Sequence, residues 1–495
     1  TPIETEFGRK RAIDQSSCNK DFSCIKGFCP SFVEVSGALP VRRGFDQAAL
    51  DALVADLPEP PVADVGKAPF GLVVAGIGGT GVLTVGAILA MAAQLEGKAA
   101  KVLDQTGMAQ KGGAVTTHIR VGANADAIPS ARLGAGQADV LIACDLIVGS
   151  APDVLALAGP ATQVLANEDV SPTGEFQTNR NLDLSPGRFI SAMGRRVDPA
   201  AIRTLRAGAL AARLLGDSIF TNLMMVGFAA QQGLLPVSLS AIAEAVRLNG
   251  VAAKTNLAAL ALGRLAAVGA VDLFALAQVP AHEPTLPTTF AEVRESRAAL
   301  LARWQDARWA EEYRACLDDL AARLAARGLG DCDALLAELA RGLGKFMAYK
   351  DEYEVARLYS EPAFRAGLAA QFEGSARLRV HLAPPLLAWR RDEKTGRPAK
   401  IAFGAWIFPL FRLLAKGKRL RGTWLDPFGH TAERRMERAL IGEYRALAER
   451  IVASVTPETM VQAIDLAASH QLVAGFGPVK QAGMQAWRAK ADASA

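Results

Sequence analysis

Aromatic side chains are scarce in this 495-residue sequence: Phe, Trp and Tyr supply 6% of it, against an apolar share of 51%. Much of that share is Ala, which favours helix and buries little area. A chain of this length holds two to four domains, and the composition gives them a large helical fraction. A strong excess of one charge is also missing. Lys and Arg number 55 and Asp and Glu 50, a formal balance of +5. Such a mild balance helps an acidic electron carrier dock, but it excludes the dense basic surface of a nucleic-acid binder. No basic stretch followed by an apolar run opens the sequence, so secretion is not expected and a cytoplasmic protein is. Only Phe70 to Leu95 is long and free of charge in the manner of a membrane span. Its spaced glycines read instead as strand, turn and helix, and no membrane partner is expected. No internal repeat is evident.

Cysteine is sparse too, with six residues, yet three of them fall within twelve positions: Cys18, Cys24 and Cys29. The segment reads C-x2-D-x2-C-x4-C-P, with Asp21 where a ferredoxin-type C-x2-C-x2-C-x3-C-P site has its second Cys. Thiolates are soft charged donors that suit iron, and close spacing lets one loop wrap a cluster. An iron–sulfur cluster on Cys18, Cys24 and Cys29 is one reading, with Asp21, a Cys from a partner chain, or nothing as fourth ligand, the last leaving a three-iron cluster. A zinc site is another, although no His precedes His118 to complete it. Three unrelated thiols is the third. Cys144, Cys316 and Cys332 are isolated and read as packing residues.

A second pattern follows a β-branched run at Leu72-Val73-Val74. Gly76-Ile77-Gly78-Gly79-Thr80-Gly81 is a G-x-G-x-x-G turn leading into the helical stretch Val82 to Leu95. Glycines there permit a tight turn and close approach of a ligand to backbone N–H groups, and a helix N-terminus favours an anion. Asp104, at the end of the next strand, stands where a ribose-binding acid belongs in a dinucleotide fold. A nicotinamide or flavin domain is therefore a candidate at this point. Gly107-Met-Ala-Gln110-Lys111-Gly112-Gly113 then gives a bare loop before an alternating strand. The two glycine loops are expected to face each other at the carboxyl edge of the sheet, where α/β folds bind ligands, with Lys111 able to meet an anion.

These patterns set the expected organisation. Residues 1–37 form a small cysteine-bearing head, and 38–66 a proline-punctuated connector. Residues 67–279 alternate strand and helix and predict a doubly wound, parallel α/β domain. Residues 280–495 carry apolar positions at helical spacing over 289–327, 332–350 and 432–453, and predict a mainly α-helical domain.

Taken together, the motifs resemble one family. Gly76 to Val82 with Gly107 to Gly113 is similar to the gamma domain of 2-oxoacid:ferredoxin oxidoreductases, in the indolepyruvate branch. Ile13 to Phe32, Asn167 to Gly174, Phe346 to Tyr359 and Asp426-Pro-Phe-Gly429 extend the resemblance along most of the chain. The resemblance implies oxidative decarboxylation of an arylpyruvate to an acyl-CoA. Electrons would pass through a 4Fe-4S cluster in the head to ferredoxin. Gly76, Gly78, Gly79, Gly81, Gln110, Lys111, Gly112 and Gly113 would line the 2-oxoacid or coenzyme A entrance. One feature of the chemistry has no counterpart here: a Gly-Asp-Gly with a following Asn for thiamine diphosphate, since Gly330-Asp331-Cys332 does not fit. The thiamine site with its magnesium is therefore expected on a partner chain or another portion, in an oligomer, and this chain alone should be inactive. An NAD(P)-dependent oxidoreductase and a non-catalytic assembly subunit are the competing readings.

Overall fold

A computed structural model describes residues 2–3, 5–13, 15, 18, 20–26, 29–41, 46–66, 68–107, 113–170, 183–279, 286–383 and 400–493. The chain forms two compact units: residues 1–2, 11–18 and 42–284 in one, residues 3–10, 19–41 and 285–495 in the other. The strands longer than two residues are, in chain order, β1 (Val33–Pro40), β2 (Phe70–Ile77), β3 (Ala99–Thr106), β4 (Ala114–Gly122), β5 (Ala138–Ala143), β6 (Ala158–Asn167), β7 (Ile202–Leu205), β8 (Phe372–Leu382) and β9 (Ile401–Phe403).

The first unit is built on a six-stranded sheet of order β3-β4-β2-β5-β6-β7. It is mixed, not parallel. β2, β5, β6 and β7 pair in parallel, whereas β4 runs antiparallel to both β2 and β3. The reason is the connection. Residues 107–113 are too few for a parallel crossover, which takes a dozen or more, so β3 and β4 pair antiparallel. β2 and β5 are continuous apolar runs because both faces of the sheet are covered. Helix α1 (Val82–Leu95) lays Val82, Val85, Ile88 and Leu89 on one face, and Leu146, Val148 and Met193 cover the other.

The proline-rich stretch is packed rather than free: Leu50 is fully buried, and the Pro58 carbonyl accepts from Gln231 (2.9 Å) and Arg264 (3.4 Å). Helix α2 (Ala207–Leu214) follows β7. Helices α3 (Thr221–Gln231) and α4 (Ala253–Val268) then cross at backbone contact. A Cβ on Gly263 would stand 1.9 Å from the Met224 carbonyl oxygen, and one on Gly227 2.0 Å from that of Leu260. Gly263→Ala must push two helices apart, and a loss of about 1–3 kcal/mol is expected, read as a lower thermal midpoint.

The second unit is mainly helical: α5 (Phe290–Trp304), α6 (Ala307–Ala326), α7 (Asp333–Met347), α8 (Glu352–Ser360), α9 (Ile407–Lys416) and α10 (Ala432–Ser454) are its principal helices. Its core gathers Tyr313, Leu317, Phe346, Tyr444 and Trp487. It also holds a three-stranded antiparallel sheet of order β9-β8-β1, which the helical periodicity did not announce. β1 comes from the cysteine-bearing head, so residues 19–41 belong with the helical unit and do not stand alone. Among the described residues no helix is long and apolar enough to cross a membrane.

Candidate functional site

At the edge where β2, β3 and β5 end and β4 begins, the glycine turn takes its shape from three restraints. Gly79 and Gly81 hold φ of 87° and 94°, a region costly for any side chain. Gly76 leaves no room for a Cβ, which would meet Val82 at 2.7 Å. Thr80 closes the turn onto the Ile77 carbonyl through its N–H (3.3 Å) and its hydroxyl (2.7 Å). Buried Asn222 donates to the Thr80 carbonyl at 2.8 Å and ties the turn to α3. No side chain caps α1, and its first turn carries no acid, so its N-terminal N–H groups keep their positive field.

The glycine turn is bonded to the described end of the second glycine segment. Gly78 N–H donates to the Gly113 carbonyl at 2.8 Å, continuing the β2–β4 ladder one step past Ile77 and Ala114. Gln110, Lys111 and Gly112 lie outside the described residues. A cleft of about 210 Å³ opens beside this junction, between Gln105, Thr106, Gly107, Ala114 and Thr116 on one side and Val148, Ala151, Asp153 and Val154 on the other.

Neighbouring polar groups prove structural. Asp145 caps the turn at Val148 (3.0 Å), and burial pushes the Cys144 thiol up to about 12, leaving it inert. His118 is buried and accepts the Leu133 N–H at 3.1 Å; burial first, then Arg132 and Arg120, hold its pKa down. Asn167 accepts from Ala207 (3.0 Å) and Gly208 (3.3 Å), and Asp169 from Ala209 (2.7 Å), so this pair caps α2. Asp104 is exposed, accepts the Thr117 hydroxyl at 2.7 Å, and is separated from the glycine strand by β4. Two strand spacings, about 10 Å, lie between it and β2. The dinucleotide reading required Asp104 on the strand adjacent to β2, and β4 occupies that place.

The thiols sit elsewhere. Ser23–Lys26 forms a single 3-10 turn whose start is capped by Asp21: its Oδ1 accepts the Ser23 N–H at 3.0 Å and hydroxyl at 2.9 Å. The Cys18, Cys24 and Cys29 side chains are all half-buried. Lys400 donates to the Cys29 carbonyl at 2.7 Å. Burial lowers its pKa, and the nearby Cys29 and Cys24 sulfurs act in the opposite sense. Tyr359 donates to the Pro30 carbonyl, and its own pKa is raised by burial and then by Cys29. Lys400 carries no local sequence signal, being brought to Cys29 across 371 positions by the sheet. Among the described residues, no three His, Cys, Asp or Glu side chains gather into a metal-ligating group.

Comparison with known proteins bears on both units. Residues 71–266 match the pyruvate ferredoxin/flavodoxin oxidoreductase family, and residues 290–493 match DUF6537, a family of unknown function. Indolepyruvate oxidoreductase subunit IorB of Archaeoglobus fulgidus is 30% identical over 197 residues, which span 39% of this chain and 92% of that protein. The chain belongs to the 2-oxoacid:ferredoxin oxidoreductase family. Among solved structures, a keto/oxoacid ferredoxin oxidoreductase gamma subunit from Geobacter sulfurreducens aligns with 40% of this chain and 99% of its own. Its identity is 19% and its TM-score 0.29. A 2-oxoglutarate:ferredoxin oxidoreductase from Magnetococcus marinus aligns with 48% of this chain and 38% of its own, at 14% identity and a TM-score of 0.31. As an oxidoreductase subunit of this family, the chain presents its glycine turn in the first matched segment, and Cys18, Cys24 and Cys29 stand outside both matched segments.

Proposed function

We propose that this chain is the gamma-type and thiol-bearing portion of an arylpyruvate:ferredoxin oxidoreductase of the indolepyruvate type, working with a thiamine-bearing partner chain. The observation that carries the reading is the Gly78–Gly113 hydrogen bond, which joins the two glycine loops of the family beside an open cleft. The name of the archaeal relative supports indolepyruvate as the substrate class. The glycine turn supports recognition of an anion, such as the carboxylate of a 2-oxoacid or a phosphate of coenzyme A, by bare N–H groups at the start of α1. This chain's part is to bind and orient; decarboxylation belongs to thiamine diphosphate and magnesium on the partner.

The donor chemistry of the head suits iron. Cys24 and Cys29 are free, half-buried and share the Lys400 cation, which would offset part of the charge of a cluster. Cys18, Cys24 and Cys29 would hold it, Cys18 being added on sequence spacing. When bound, an iron–sulfur cluster supplies one-electron steps between the substrate and ferredoxin.

The test is Gly79→Val in the complex reconstituted with its thiamine-bearing partner. A side chain at φ 87° displaces the turn, and a fall of tenfold or more, on the order of what an ångström of misplacement costs, is expected in kcat/KM for coenzyme A or the 2-oxoacid. Unchanged kinetics for both substrates, with thermal stability retained, would remove the cleft from the reaction.

A further inference from the structure

Helix α9 is apolar on two opposite faces. One face buries Ile407, Phe408 and Phe411, with the Phe411 ring stacked 5.5 Å from that of Tyr359. Tyr359 in turn holds the Pro30 carbonyl beside Cys29. The other face carries Trp406, Leu410 and Leu413, which are 64%, 49% and 67% exposed. Spacings of four and three put them on one stripe. Trp424 and Leu425, in the turn that follows, are 82% and 53% exposed. Singly exposed leucines need no explanation, but a stripe headed by an exposed tryptophan does. The segment itself carries charge of one sign. Arg412, Lys416 and Arg419 are exposed, and no Asp or Glu occurs between Lys400 and Leu425.

We propose that this stripe is the docking surface for a small acidic electron-carrier protein, an inference that rests on the iron–sulfur reading of the head. Charge is the first argument. A segment with exposed cations and no acids of its own attracts a negatively charged partner, speeds its encounter and makes binding salt-dependent. Size is the second, since a modest apolar centre inside a charged rim matches the small, transient interfaces of redox partners. Distance is the third. The inner face of α9 touches Tyr359, and a helix is about 10–12 Å across, so a carrier on the outer face stands roughly one helix thickness from the Tyr359–Pro30 contact. In each encounter one electron leaves the head and reduces the carrier by one; two encounters discharge the pair released per 2-oxoacid oxidised.

The experiment is calorimetric titration of the assembled oxidoreductase with a redox-inert, gallium-substituted ferredoxin at low and high salt. It is repeated on Leu413→Glu and on Lys416→Glu, with iron content and methyl viologen reduction measured alongside. The expected result is a loss of affinity of at least about tenfold in each variant, and in the unaltered protein at high salt, with iron and viologen reduction unchanged. Unaltered affinity in both variants, iron being present, overturns the docking assignment. Absence of iron from the unaltered protein overturns the reading of the head and leaves the binding result to stand separately, because heat rather than turnover is measured. Two further outcomes also overturn the proposal. One is loss of binding to phosphatidylglycerol vesicles in Leu413→Glu with ferredoxin affinity intact, which gives the stripe to a membrane surface. The other is a changed oligomeric mass with ferredoxin affinity intact, which gives it to a second copy or to the thiamine-bearing chain.

Discussion

Cys29→Ser is expected to strip the anaerobically purified protein of iron, from about four per chain toward zero, and to abolish the dithionite-reduced EPR signal. A serine hydroxyl is a hard, neutral donor and cannot replace a thiolate on iron. Cys24→Ser should behave alike, since both sulfurs share the Lys400 cation. Lys400→Met should retain iron but shift the cluster's potential downward, because a positive charge that favours the more reduced, more negative state is gone. Asp21 separates two versions of the site. Its Oδ1 is engaged with Ser23, and Asn caps a turn as well as Asp does, so Asp21→Asn should keep its iron if the carboxylate only caps. A three-iron signal in that variant would instead make Asp21 the fourth ligand. Full iron content and an unaltered signal in both Cys→Ser variants would end the electron-transfer role of the head.

What the sequence disclosed was mostly local. The glycine turn, the helix after it and the helices at 290–304, 307–326, 333–347 and 432–454 follow from glycine spacing and apolar periodicity. Sheet direction was misread, although the short span from Gly107 to Gly113 held the information: connection length decides parallel against antiparallel more firmly than the alternation of elements does. Asp104 was placed by its distance along the chain, which cannot reveal that β4 intervenes. The pairing of β1 with β8 was not legible, because 341 positions separate the paired Ser36 and Arg377, even though Ala376 to Leu382 alternates strictly. Lys400 was missed for the same reason. Asn167 and Asp169, by contrast, stood out as part of a family motif, and the structure gives them the work of capping α2.

Arg421→Ala is expected to destabilise the helical unit by about 3–5 kcal/mol, the range for breaking a buried ion pair from one side. Asp351 and Arg421 are almost fully buried and paired at both oxygens, at 2.6 and 2.9 Å. The guanidinium also donates to the Trp304 carbonyl at 2.6 Å and lies 3.5 Å over that ring. Removing it leaves the Asp351 charge buried without its counter-ion. Asp351 is committed to its place, since its Oδ1 accepts the Glu354 N–H at 2.8 Å and caps α8. Lysine should not rescue, because one ammonium cannot reproduce the planar two-pronged contact or the stacking. Arg421→Met combined with Asp351→Asn should cost much less than Arg421→Ala, because no charge is stranded and Asn still caps α8. Denaturant unfolding of the three variants reads the difference, and a double variant as unstable as Arg421→Ala would show that packing on Trp304, not the stranded charge, dominates. The effect reaches the head through one helix. α8 that begins at the Asp351 cap carries Tyr359, whose hydroxyl holds Pro30, so loosening the ion pair should lower iron retention at Cys29 under mild denaturant before the first unit unfolds.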